Sequence, residues 1–201
     1  MMTERQPVHV VRRLSVALAA LVSAVFATVG FQVLGLDFLI FPGVVLGLHV
    51  FMLSAFWLDL PRWRATLHLL ISVSIVTGGW YFAVRLFLAA FQFLNAQIAV
   101  PVRLTDVSVN TISIAAIAGF PAGLLGGLSV GLALSSATSD RMLWPVLGRS
   151  LLMGAVAGSL SMVAYYAVMG VSWGRFAEAV ALFFVWQLLV LTTLYSLFWK
   201  R

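Results

Sequence analysis
Long apolar stretches, rather than alternating or one-faced patterns, organise this chain. Hydrophobic residues run for about 20 positions at a time, and the short segments between them hold most of the charge. A helix that crosses the hydrocarbon core of a bilayer needs roughly 20 predominantly apolar residues. Six segments qualify, at about 14–34, 39–58, 65–88, 111–135, 147–170 and 177–199. In lipid the backbone must satisfy its own polar groups, so each stretch is expected to be helical. The predicted fold class is all-α: a polytopic membrane protein of six transmembrane helices in one compact bundle. The first stretch follows "VRR" and holds small residues near "VSA", as a signal peptide would. Its apolar run is longer than a cleavable core, so it is read as a retained helix.

Composition narrows this further. Of 201 residues, 63% are hydrophobic and 9% charged. A typical soluble domain carries about 25% charged residues, so too few remain here to cover a water-facing surface. There is no cysteine, which removes disulfides, thiol nucleophiles and cysteine-ligated metals. A net charge of +6 would point to nucleic acid in a soluble protein. Here it is a topological signal, and nucleic acid is not an expected partner. Arg5, Arg12, Arg13, Arg62, Arg64, Arg141, Arg149, Lys200 and Arg201 all fall on one side of the predicted spans; only Arg85, Arg103 and Arg175 fall on the other. The positive-inside rule then predicts an inner (cytoplasmic) membrane protein with both termini in the cytoplasm. Trp57, Trp63, Trp144, Trp173 and Trp199 lie near predicted span ends, where indole rings favour the headgroup level. The chain reads as a single transmembrane domain over 1–201, with 89–110 its longest non-spanning piece. That piece is either a lid or interfacial helix over the outer mouth, or a connecting loop.

The stretch "GFPAGLLGGLSVG" sharpens the packing. Gly119, Gly123, Gly127 and Gly131 recur every four residues, forming a ridge without side chains along one helix face. Such ridges let helices approach backbone to backbone. A phosphate cradle is excluded, because neither the Lys-Ser/Thr of a P-loop nor a G-x-G-x-x-G after a strand is present. Weaker ridges recur at Ala20 and Ala24, at Gly43 and Gly47, and at Ser150, Gly154 and Gly158. Two Phe-Pro stretches, "FPGVVLGLHV" and "FPAGLLGGLSV", also align, as an internal repeat or by coincidence.

Polar chemistry is sparse. His49 and His68 lie on neighbouring spans but about 7 Å apart in depth, which disfavours shared haem ligation. Both are expected to face the bundle with hydrogen-bond partners. Arg85 is the most costly intramembrane charge, and it is expected either to meet Glu178 or to extend outward. Candidate ligand-binding residues cluster toward the outer end: Trp80, Tyr81, Arg85, Asn95, Arg103, Asp106, Asn110, Tyr165, Trp173 and Glu178. They would give a small polar solute donors, acceptors and stacking faces. No H-E-x-x-H, paired carboxylates or "GxSG" is present, so no enzyme, cofactor or metal is expected.

Six spans, the Ala20-x-x-x-Ala24 of "ALAALVSA" and the Asp-then-glycine-rich "DVSVNTISIAAIAGFPAGLLGGLSVGL" together carry a resemblance. The chain resembles the substrate-binding S components of energy-coupling-factor transporters and related glycine-rich membrane families. That resemblance implies a small-solute pocket on the outer side and a coupling subunit docked on the first helix. The expected function is a transporter-type subunit in the lipid bilayer that binds a small solute. The alternative is an accessory, assembly or sensory subunit packed against another membrane protein.

Overall fold
The computed structural model describes residues 6–58, 60–138, 142–171 and 174–195, and among these it is helical throughout, with no strand. Six helices follow in order: α1 (Gln6–Gln32), α2 (Phe41–Leu58), α3 (Arg62–Asn95), α4 (Val109–Ser135), α5 (Leu143–Gly170) and α6 (Arg175–Tyr195). Five are long and apolar enough to cross a membrane, whereas the apolar part of α2 is the shorter Phe41–Ala55. Each helix packs on its sequence neighbours and α6 returns to α1, so the six close into a ring, with α2 also touching α4 across it. One end carries the connections 33–40, 96–108 and 171–174, and is called here the loop end. The other, called here the terminal end, carries the start of α1 and the end of α6.

Local chemistry sets the helix boundaries. Asp37 Oδ1 accepts from Leu39 N–H at 2.7 Å and its carbonyl accepts from Phe41 N–H, turning the chain into α2. Gly35 (φ 67°) and Gly174 (φ 90°) occupy the left-handed region that these turns require. Pro61, in extended conformation, precedes α3. Ser108 caps α4 by accepting from Thr111 N–H at 3.1 Å. The aligned Phe-Pro pairs play different parts: Pro42 sits in the first turn of α2, where its missing N–H costs nothing, whereas Pro121 lies inside α4.

Three expectations change. α3 runs to Asn95 rather than ending near 88, because Phe91 and Leu94 pack against Ile114 and Tyr166. The connection shrinks to 96–108, and it forms no interfacial helix. Instead its Ile98, Val102 and Leu104 fold into the same cluster. α1 begins at Gln6 and α5 at Leu143, each earlier than the apolar stretch alone indicates. Trp63 and Trp144 are exposed at the terminal end, and the Arg64 guanidinium lies 5.1 Å from the Trp63 ring centre. Trp173, Trp199 and the 140–141 turn lie outside the described residues.

The glycine ridges set the seams. A Cβ on Gly119, Gly123 or Gly127 would collide with the main chain of Gly158, Gly154 or Ser150, so the α4 and α5 ridges interlock residue by residue in antiparallel register. Gly43 and Gly47 likewise meet the α3 backbone, where an added Cβ would lie 2.8 Å from Thr77 Cα and 2.7 Å from Val73 Cα. Ala20 and Ala24 are fully buried, and Ala24 packs with Ala179 and Phe183 of α6. The α1 motif is therefore spent inside the bundle. A partner docking through it would have to displace α6.

Candidate functional site
The residues expected to bind a ligand occupy three separate places. Trp80 points inward and donates its indole N–H to the Phe38 carbonyl at 3.0 Å, pinning the 33–40 connection to α3. Its ring joins Phe31, Phe38 and Phe183 in an aromatic cluster that plugs the ring of helices toward the loop end. Tyr81 and Arg85 belong to a second place. Arg85 is exposed and its guanidinium lies 5.4 Å from the Tyr81 ring centre, so it extends outward, while Glu178, in the first turn of α6, donates its N–H to the Gly174 carbonyl and lies near Tyr165 instead. Glu178 in a first helical turn is favourably placed against the helix dipole.

The third place is the cap over α3, α4 and α5. Asn95 holds Val102 by two bonds, donating from Nδ2 to its carbonyl at 3.0 Å and accepting its N–H at Oδ1 at 2.8 Å. Asp106 accepts from Arg103 N–H at 3.1 Å and donates its own N–H to the Arg103 carbonyl. Tyr166, buried, donates its hydroxyl to the Leu104 carbonyl at 2.7 Å and meets Tyr165 edge to face. Asn110 is exposed on the first turn of α4, and Trp173 lies outside the described residues. These polar groups fold the connection back on itself; they do not converge on a solute.

Neither of two open surface grooves contains any of them. The larger, about 590 Å³, is an apolar groove on the outer surface between α3 and α4, lined by Phe93, Ile117, Phe120 and Pro121 among others. The second, about 420 Å³, lies between α1 and α6 beside Ala17 and Leu189. Both suit lipid chains better than a polar molecule.

The polar interior lies elsewhere. His68 is well served: its Nδ1 is 2.8 Å from Ser136 Oγ, whose own proton reaches the Ala133 carbonyl at 2.7 Å, and Ser72 Oγ is 3.3 Å from the ring. His49 differs from the expectation. It is buried, yet neither ring nitrogen has a partner in the protein. The same is true of Ser23 Oγ, Thr77 Oγ1, Gln187 Oε1 and Thr192 Oγ1. His49 and Gln187 approach each other across the ring without reaching hydrogen-bond geometry.

His49 and Gln187 lie at one level, whereas Thr77 lies beside Gly43, six residues nearer the loop end along α2 than His49. Each of the pair stands four residues from a member of the hydrophobic cluster that contains the aromatic plug, His49 from Val45 and Gln187 from Phe183. Residues so spaced share a helix face. On the other side lies the aliphatic core of Val16, Leu53, Val190 and Leu191. A polar pair contributed by α2 and α6 is thus sandwiched between an aromatic plug and an aliphatic floor. Sequence reading singled out His49 but missed Gln187, the one amide inside the apolar run of α6, which is itself the signal.

Among the described residues no three potential metal ligands come together. The chain matches no protein-family model, no curated protein and no solved structure.

Proposed function
We propose that this integral membrane protein is a transporter-type subunit that takes a small solute into the middle of its helix ring. The observation that supports this is the buried polar pair of His49 and Gln187 in the middle of the bundle. Unpaired polar groups in a bilayer cost several kcal/mol each, on the order of a whole helix–helix contact, so side chains that keep them there are functional candidates. The site proposed from the sequence at the outer mouth moves inward, beneath the aromatic plug. The inner-membrane location and cytoplasmic termini belong to this reading and are supported by the distribution of arginines between the two ends.

The reading assigns no catalysis. Ser136 and His68 form the closest serine–histidine pair, but the N–H groups of Ser136, Ala137 and Thr138 all donate to carbonyls of the α4 terminus. Among the described residues no backbone donor remains there for an oxyanion. Native mass spectrometry of the detergent-purified protein tests the proposal. A co-purifying small molecule that is lost in His49→Leu supports it. A protein without solute that carries one stoichiometric membrane partner replaces it with the accessory-subunit alternative, for which the apolar grooves on the outer surface speak.

A further inference from the structure
We infer that the groove between α3 and α4 seats one membrane lipid, held by a hydrogen-bond donor in its headgroup. This seat lies apart from the interior pair of His49 and Gln187 and requires no solute.

The two Phe-Pro stretches differ at one carbonyl each. A proline has no N–H to return to the carbonyl four residues earlier, which is Phe38 for Pro42 and Ile117 for Pro121. A carbonyl without a donor is costly in a bilayer unless something fills it. At Phe38 the protein provides the donor, the Trp80 indole N–H at 3.0 Å. At Ile117 no side chain among the described residues does so.

Ile117 and Pro121 both line the groove of about 590 Å³. A helical carbonyl points along the axis toward the residue four ahead, so this oxygen opens to the groove. Ser159 of α5 lines it too, and its hydroxyl has no partner among the described residues. Around these two polar atoms stand the exposed side chains of Phe93, Ile117 and Phe120. An occupant that fills the groove therefore has an apolar body and at least one N–H or O–H.

Depth favours lipid over protein. From Ser135 to Ile117 is about 27 Å along α4 at 1.5 Å per residue, and the hydrocarbon core is about 30 Å thick. With the terminal end of α4 at one boundary, the free carbonyl stands near the other, where headgroups begin. Ser113 and Asn110 continue the face of Ile117 toward the loop end at helical spacing, and both are exposed. The groove thus runs from a polar rim to an apolar body, as a lipid does. A rim of this kind suits a headgroup better than a partner's apolar helix. Acyl chains carry no donor and a choline headgroup has none, whereas an ethanolamine headgroup has one.

The test uses the full chain in nanodiscs of equal phosphatidylethanolamine and phosphatidylcholine with matched acyl chains. Native mass spectrometry counts the lipids that stay bound as the surrounding bilayer is stripped. The wild type should retain ethanolamine over choline lipid several-fold, up to about tenfold for one hydrogen bond. Pro121→Ala returns an N–H to the Ile117 carbonyl and should bring the ratio close to one. Pro42→Ala, whose carbonyl Trp80 already fills, should keep it. A change of groove shape alone affects both lipids alike and leaves the ratio. Alanine favours a helix interior, so Pro121→Ala is expected to fold. Ser159→Ala should also lower the ratio, and it decides the matter if Pro121→Ala does not fold. Equal retention by the wild type overturns the inference, as does a ratio unchanged in folded Pro121→Ala. A benzophenone side chain in place of Phe120 that captures a protein instead of lipid also overturns it, in favour of a partner's helix.

Discussion

Two regions of the bundle solve the problem of a protein interior in lipid in opposite ways. Along the α4–α5 seam close approach is achieved by omission: Gly119, Gly123 and Gly127 face Gly158, Gly154 and Ser150, and main chain touches main chain. Across the ring, between α2 and α6, large polar side chains are present and have no protein partner. Lipid gives helices no hydrophobic reason to associate, so dense packing has to hold them. The seam therefore answers for stability. The unpaired polar groups work against stability.

The largest effect is expected where the seam is filled. Gly127→Leu should destabilise the protein by about 3 kcal/mol or unfold it, at the upper end of overpacking costs. Gly148→Leu and Gly78→Leu, where an added Cβ meets nothing, should leave the unfolding midpoint in detergent unchanged. If Gly127→Leu behaves like these controls, the seam does not hold the bundle together.

The cap comes next. Asn95→Ala removes both bonds to Val102 and should cost about 1–3 kcal/mol, with Tyr166→Phe near 1 kcal/mol through the bond to Leu104. Hydrogen exchange should rise across 96–108 and stay unchanged in α1 and α2. A uniform rise would mean that the cap is not a separate unit.

Smaller still is the contrast between the histidines. His68→Leu should cost about 1 kcal/mol by breaking the contact with Ser136, whereas His49→Leu should be close to neutral. Equal costs would erase the distinction between a partnered and an unpartnered ring. The smallest expected signal is a coupling: His49→Leu with Gln187→Met should be less harmful than the two single changes summed, by about 0.5–1 kcal/mol. Strict additivity would show that the two side chains do not interact.

Much of the seam was legible from spacing. A glycine every fourth residue needs no partner to be recognised, and the matching Ser150, Gly154 and Gly158 are equally periodic. The direction of the weaker α1 ridge was not legible, because Ala20 and Ala24 look alike whether they face α6 or a separate subunit. The ligand-binding expectation went astray for a related reason. Asn95, Arg103 and Asp106 are polar residues near a helix end, and a sequence does not distinguish groups that receive a solute from groups that hold a loop. Tyr166 illustrates it: its hydroxyl is one turn-closing bond, 62 residues from its acceptor.

What the sequence by itself determined is local or additive. Helix type and span number follow from apolar length, because lipid forces each segment to pair its own backbone. The glycine ridges follow from a period of four on a helix of about 3.6 residues per turn. The tertiary structure decided what depends on which face meets which. It closed the ring by bringing α6 to α1, turned the ridges inward, and placed His68 against Ser136 while leaving His49 opposite Gln187. A side chain's partner lies on another helix, set by crossing geometry and register, and no single span encodes it.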